Sequence, residues 1–445
     1  MLKTKETFFA LSTPMGRSAT ATIRINGEKA LDTLLQLSKK KKKDIKHAKN
    51  LLVNIYNKNN DLIDNSISTY YKKPKSYTGE DLVEIHTHGN PTIINTLSKK
   101  LLEMGVRPAE PGEFTKTAYL NGKIDLVQAE SVLLLINSTS ASGVSLSLNS
   151  VSGFATNELQ NTKNFLVSAL ALLEYELDIS ETENQKTTTA EVYKKLKKTI
   201  KNVNHYLSSG QTAKILTSGA RVVICGEPNT GKSTLFNTLL KHERAIVTAV
   251  PGTTRDTIEE GLILNKNNVV FVDTAGIRKT KNLVEQKGIE RTKNEIKNAD
   301  IVLSLFNSVS KQNKTVNNKN TIHILNKIDL LDSDLLKTLK NKNPGFVFIS
   351  AKEKQGISNL LLKIEGLIFQ ITAKNNNLFL TSKRQENVLL QIQSELKPLI
   401  TNKEKNLELL AHHIKVAIGY FDNLLGKTTS DDVLDSVFSG FCVGK

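Results

Sequence analysis

The run Gly226-Glu-Pro-Asn-Thr-Gly-Lys-Ser233 constrains the fold more than any other stretch of the chain. It follows the apolar run Val222-Val-Ile-Cys225 and leads into Thr234-Leu-Phe-Asn-Thr-Leu-Leu240. That order predicts a strand, a phosphate-wrapping loop and a helix, because the glycines let backbone N–H groups converge on phosphates at the positive helix N-terminus. Lys232 is expected to reach the outer phosphates and Ser233 to offer its hydroxyl oxygen to magnesium. Asn229, Thr230, Gly231 and Thr234 complete the loop. Further continuous apolar runs, at 269–272, 301–303 and 346–349, suit strands of a parallel sheet buried on both faces.

The other motifs name the ligand. Asp273-Thr274-Ala275-Gly276 ends one apolar run, so Asp273 is expected to hold magnesium through water and the Gly276 amide to sense a γ-phosphate. Pro251-Gly252-Thr253-Thr254 lies between, with Thr254 as the magnesium-binding threonine. Asn326-Lys327-Ile-Asp329 follows the run 321–325. Its Asp329 carboxylate can accept two hydrogen bonds from the N–H edge of guanine, a donor pair adenine lacks, so ATP would leave a polar group unpaired. Ser350-Ala351-Lys352 completes a base pocket. The expected ligands are GTP and Mg2+. Ile277, after Gly276, stands where many GTPases place a water-orienting glutamine, and an aliphatic side chain cannot polarise water. Hydrolysis is then either negligible or served by another residue. Glu285 is nearby, but spacing alone reads it as a solvated acid at a helix start.

The chain of 445 residues, 39% hydrophobic, has length for roughly three domains. Short apolar runs at 21–25, 51–55 and 82–85, with a helix over 91–104, predict a small α/β domain at 1–122. From 123 to 216 Gly and Pro are scarce, and Val192, Leu196, Ile200, Val203 and Leu207 predict one apolar helix face. The strand and helix alternation occupies 217–374. Val388, Ile392, Leu396 and Leu399 then mark a second helical stretch within 375–445. The expected fold is α/β and α: a small N-terminal α/β domain, and a discontinuous helical domain into which a Ras-like P-loop G domain with a mainly parallel sheet is inserted.

No basic-then-apolar leader and no long uncharged apolar window are present, which reads as cytoplasmic. Two cysteines, Cys225 and Cys442, support neither a disulfide framework nor a zinc site. Cys225 is expected in the core, and His86 and His88 are expected to be structural. A charge of +17, from 61 Lys+Arg against 44 Asp+Glu, fits a polyanionic partner such as RNA. The lysine-rich stretches 39–43 and 308–320 fit equally well a drift of composition toward lysine and asparagine.

Five stretches together resemble the bacterial tRNA-modification GTPase family MnmE, also called TrmE: Tyr77-Thr-Gly-Glu-Asp-Leu-Val-Glu-Ile85, Arg107 to Phe114 with Leu120 to Leu126, the Pro251–Asp256 loop, Val284-Glu to Glu290-Arg, and the terminal Phe441-Cys-Val-Gly-Lys445. The resemblance spans essentially the whole chain. It implies a homodimer whose N-terminal domains pair and bind 5-formyltetrahydrofolate or a related folate, with contacts at Arg24, Glu84, Lys123 and Lys445. It implies GTP hydrolysis stimulated by K+, held by Asn229, Thr248, Val250 and Thr253, with Ala249 in the same nucleotide-binding loop, and it makes Glu285 the residue that orients the attacking water. It also implies an FAD-dependent partner, MnmG, in a heterotetramer that modifies carbon 5 of the wobble uridine of certain tRNAs to an aminomethyl or carboxymethylaminomethyl form. Cys442 reads equally as a participant in that chemistry and as a small side chain buried at a packed terminus.

The pattern departs from the family at Ser18-Ala-Thr-Ala-Thr22 and at Asn90, where glycines are usual, both in the folate domain. Two other classes stay open: a ribosome-assembly GTPase of the Era or Der kind, for which no second module is evident, and a GTP-binding switch without turnover.

Overall fold

The computed structural model describes residues 6–138, 140–178, 185–240, 259–264, 267–273, 294–307, 320–372 and 382–444. The chain divides into two compact units, Met1–Leu133 with Ser150–Leu196 and Glu395–Lys445, and Leu134–Asn149 with Lys197–Ser394.

In the first unit six strands, β1 (Phe8–Leu11), β2 (Ser18–Asn26), β3 (Asn50–Tyr56), β4 (Leu62–Tyr71), β5 (Leu82–Gly89) and β6 (Arg107–Pro108), form one sheet in the order β3-β4-β5-β2-β1-β6. The β1–β6 pair is parallel. Alternation puts Ile23, Ile25, Val83 and Ile85 on one face. There they share a core with Leu34 and Leu37 of α1 (Ala30–Ser38) and Ile94, Leu97 and Leu101 of α2 (Pro91–Glu103). Helix α2 starts where expected. The Asn90 side chain accepts from the Thr92 N–H at 2.9 Å and Pro91 opens the first turn, so the departure from glycine at 90 supplies a helix cap.

After α3 (Glu113–Leu120), Asp125 caps α4 (Leu126–Asn137): its carboxylate accepts from the Gln128 N–H at 2.9 Å while the Gln128 side chain accepts from the Asp125 N–H at 3.0 Å. Leu126 and Ala129 pack with Leu434, Phe438 and Phe441, joining segments more than 300 residues apart along the chain. Helix α5 (Ala141–Val151) comes next in the chain, and α6 (Phe154–Asp178) packs on the helix Leu407–Leu424, with Lys163 and Asp422 paired at 2.6 Å. The helical part is thus assembled from both flanks, as expected.

The second unit holds β7 (Ala220–Gly226), β8 (Glu259–Leu264), β9 (Asn267–Asp273), β10 (Ile301–Asn307), β11 (Thr321–Asn326) and β12 (Val347–Phe348), in the order β12-β11-β10-β7-β9-β8. Every pair is parallel except β8–β9. The sheet is mainly parallel and its runs are buried, as expected. Helices α8 (Lys232–Leu240) and Ile357–Thr372 contribute to its core.

One helix stripe differs from the expectation. Between Val192 and Leu207 of α7 (Gln185–Ser218) the buried positions are Val192, Leu196, Thr199, Val203 and Tyr206, while Ile200 and Leu207 are half-buried. Steps of four and three average 3.5 residues, and Thr199 and Tyr206 hold the centre of that stripe although neither is aliphatic.

Candidate nucleotide site

Strand β7 delivers the phosphate loop at its carboxyl end, between β9 and β10. Gly226 has φ 148°, and a Cβ there would lie 2.4 Å from the Leu305 carbonyl oxygen of β10. Only glycine lets the strand end turn into the loop beside that backbone. Asn229 takes the left-handed conformation at φ 63°, which asparagine tolerates better than most side chains. Thr230, 1% exposed, donates its hydroxyl to the Glu227 carbonyl at 2.9 Å. The Lys232 ammonium donates to the Gly226 and Glu227 carbonyls at 3.1 and 2.7 Å. Its charge therefore lies over the loop. Ser233 and Thr234 stand exposed at the start of α8, where a helix N-terminus favours anions.

The base side is tied to this loop by Asn326, at the end of β11. The buried Asn326 amide donates from Nδ2 to the Thr230 carbonyl at 2.8 Å and accepts at Oδ1 from the Ala351 N–H at 3.0 Å. Lys327, at φ 64°, donates its ammonium to the Asn229 carbonyl at 2.8 Å. Thr238 of α8 donates its hydroxyl to the Ala351 carbonyl at 2.9 Å. Three sequence-distant loops are thereby locked together. Asp329 is exposed. The Ser350 hydroxyl first, then its own backbone amide and the Lys352 and Lys327 charges, hold its carboxyl below the usual range. An ionised acceptor aimed outward is what the guanine edge requires. Ser350 is fully buried and Lys352 is exposed, its ammonium 3.5 Å from Glu353.

The structure brings together Asn229, Thr230, Gly231, Lys232, Asn326, Lys327, Asp329, Ser350, Ala351 and Lys352. The backbone of Asp273 ends β9 opposite Ile224 of β7. Thr248, Ala249, Val250, Pro251, Gly252, Thr253 and Thr254, together with Thr274, Ala275, Gly276, Glu285 and Lys445, lie outside the described residues. Cys225 is core, as expected: burial pushes its thiol up, against a hydrogen bond with Ser304.

The candidate folate residues sit on the N-terminal sheet. Arg24 and Glu84 are cross-strand partners of β2 and β5, with Nε 2.8 Å from Oε1. Arg24 Nη1 also donates to the Gly444 carbonyl at 3.4 Å. The C-terminal tail reaches this point because Pro111 bridges Val443 and the Gly112 N–H donates to the Cys442 carbonyl at 3.5 Å. Lys123 is held by a different contact, donating to the Pro74 carbonyl at 3.1 Å. Cys442 is exposed, which corrects the buried-terminus reading: Phe441, at 5% exposure, fills the core and turns its neighbour outward. His86 pairs with Thr22 at 2.9 Å and His88 with Asp64 at 2.7 Å, in line with structural roles.

A family model described as the MnmE helical domain matches residues 126–442, and one described as the GTP-binding protein TrmE N-terminus matches residues 7–123. The tRNA modification GTPase MnmE of Fervidobacterium nodosum is 36% identical over 461 residues, covering 99% of this chain and 98% of its own. The chain belongs to the tRNA modification GTPase MnmE family. The protein of the same description from Aquifex aeolicus is 35% identical over 99% of this chain and 100% of its own. Among solved structures, Aquifex aeolicus Era is similar at 23% identity over 39% of this chain and 66% of its own, with a TM-score of 0.26.

As a member of this family the chain is a P-loop GTP hydrolase. Asn326 and Ala351, expected from sequence as nucleotide contacts, also hold each other, and Asn326 holds the phosphate loop; neither these contacts nor that of Thr238 is legible in the motifs. A buried asparagine ending an apolar strand was the available signal, since such a side chain must find partners. In the Tyr77–Ile85 stretch the missed partner is Asn26, which accepts from the Thr78 hydroxyl at 2.5 Å and donates to Glu80 at 2.7 Å.

Proposed function

We propose that this chain is a homodimeric, K+-stimulated GTPase that acts with the FAD-dependent partner MnmG on carbon 5 of the wobble uridine of certain tRNAs, drawing a one-carbon unit from 5-formyltetrahydrofolate or a related folate. The observation that carries this reading is the end-to-end match to MnmE relatives, 99% of this chain against 98% or more of theirs. In the proposal, Ser233 and Thr254 hold Mg2+, Asn229 with Thr248, Val250 and Thr253 hold K+, and Glu285 orients water. The left-handed Asn229 at the loop crest leaves its side-chain oxygen as a hard donor of the kind such a cation takes. Arg24 and Glu84, with the chain end beside them, give a folate both a cation for its carboxylates and an acceptor for its ring N–H groups. The segment boundaries 1–122, 123–216, 217–374 and 375–445 and a cytoplasmic location belong to the same proposal.

Two measurements test it. GTP turnover should be markedly faster in potassium than in sodium chloride; equal, negligible rates in both would sink the catalytic reading. Nucleoside mass spectrometry of tRNA from cells lacking the gene should reveal unmodified wobble uridines, and a normal profile would remove the tRNA assignment.

A further inference from the structure

The run Lys39–Lys43 has no part in the nucleotide or folate sites, yet the fold gives it a definite neighbour. Helix α1 ends at Ser38 and is capped by Lys39, which takes the left-handed conformation at φ 54°. Its ammonium then lies 4.3 Å from the centre of the Tyr56 ring. Tyr56 closes β3, and the next residues, Asn57, Lys58 and Asn59, form one wall of a surface groove of about 310 Å³. The other wall is the C-terminal half of α2, with Thr96, Lys99, Lys100 and Glu103. Three elements distant in sequence thus bring Lys39, Lys58, Lys99 and Lys100 to one edge of the domain.

The charge there is unbalanced. Lys39 to Lys43, Lys58 and Lys99 are exposed and Lys100 is half-buried. Among the described residues none of them is in an ion pair. Glu103 is the one acid lining the groove. Asp61 is engaged by the Asn57 amide at 3.0 Å, and Asp44 accepts from the Lys41 N–H at 3.2 Å. Like charges held close repel unless a polyanion screens them. The neutral lining residues, Asn57, Asn59 and Thr96, add hydrogen-bonding groups of the kind that bind phosphate and sugar oxygens.

We infer that this edge, the groove between Lys58 and Lys99–Lys100 continued by Lys39–Lys43, is a docking surface for the RNA backbone. The inference rests on the tRNA reading of the preceding subsection and adds to it where this chain touches the RNA. Contacts of this kind read charge and shape rather than base sequence, so the surface positions the RNA and leaves the choice of nucleotide to the catalytic assembly.

The test is direct binding of full-length protein to bulk tRNA, by fluorescence anisotropy across a salt series. The triple variant Lys58→Gln, Lys99→Gln, Lys100→Gln is compared with Lys337→Gln, Lys340→Gln, Lys342→Gln, which removes three exposed lysines from the helix Ser333–Lys342. The groove variant should bind roughly tenfold more weakly near ~0.1 M salt and its log–log salt slope should fall by about 2, while the control stays near wild type. GTP turnover and thermal unfolding should be unchanged in both, which separates loss of contact from loss of fold. Equal losses in the two variants would overturn the inference in favour of diffuse charge. So would tRNA binding that is unaffected while binding to anionic phosphatidylserine vesicles is lost. A wild-type chain that binds no tRNA, with wobble modification still dependent on the gene, would overturn this surface and leave the function standing; normal wobble uridines without the gene would overturn both.

Discussion

Asn326 and Thr230 are joined by a 2.8 Å hydrogen bond from a buried side-chain amide to a loop carbonyl, and the same amide accepts from Ala351. The residue that begins the guanine motif therefore also fixes the height of the phosphate loop. Phosphate grip and base recognition are coupled through one side chain.

Asn326→Ala should uncouple them. It leaves the Thr230 carbonyl and the Ala351 N–H without this partner in a buried site, at about 1–3 kcal/mol per group. Chemical denaturation should register the lost stability, and GTP affinity should fall along with it. Asn326→Asp, which retains only the acceptor for Ala351, should lie between wild type and Asn326→Ala. A stable Asn326→Ala variant with normal GTP affinity would contradict the coupling.

Gly231 tests the same joint from the other side. At φ 93°, with a Cβ placed 2.4 Å from Asn326 Nδ2, Gly231→Ala carries both backbone strain and a collision, of order 1–3 kcal/mol for the strain alone. The expected result is loss of nucleotide binding with a lowered unfolding temperature. Gly345→Ala, where a Cβ meets nothing within 4 Å, serves as the tolerated comparison.

Asp329 should define base choice and its pH range. Its carboxyl is held below the usual range by Ser350, Lys352 and Lys327, so the folded form loses the proton more readily than the unfolded one. The favourable contribution is present above the unfolded value and disappears as pH falls through the lowered folded value. Guanine nucleotide binding should accordingly stay flat from neutral pH down through the ordinary carboxylate range. Ser350→Ala should move the acidic limb upward. Asp329→Asn should weaken GTP by roughly a hundredfold or more, because a donor then faces the guanine N–H edge. Competition of GTP against xanthosine triphosphate would read this directly, with the variant favouring xanthine.

Arg24→Gln should loosen the last residues of the chain without releasing them. It removes the ion pair with Glu84, whose side chain is 15% exposed, and the contact to the Gly444 carbonyl. A partly buried carboxylate without its hydrogen-bonding partner should cost about 1–3 kcal/mol. Calorimetric titration with 5-formyltetrahydrofolate should show a matching loss of affinity, whereas His88→Gln, in a different hydrogen bond, should bind normally.

The nucleotide site was legible in sequence to an unusual degree, because wrapping phosphates imposes glycines at set intervals between a strand and a helix. Gly226 and Gly231 are there for φ values and close approaches that other residues would strain against, and such needs leave a mark in the sequence. Apolar runs bounded by turns likewise announced most strands of both sheets. The stripe on α7 was read one step off at Ile200 and Leu207, since side-chain type alone cannot tell which of two adjacent positions faces a neighbour; Thr199 and Tyr206 took those places. Cys442 pointed outward because Phe441 claimed the core.

By itself the sequence determined the ligand, the order of its loops, and the family, since each rests on residue types at short spacings. Tertiary structure alone decided which distant residues meet: Asn326 with Thr230 and Ala351, Arg24 with Glu84 and the tail at Gly444, and Lys39 with Tyr56 beside the groove of Lys58 and Lys99. Those meetings depend on strand order, register and helix exit direction, which are set by burying whole faces at once and which no local pattern encodes.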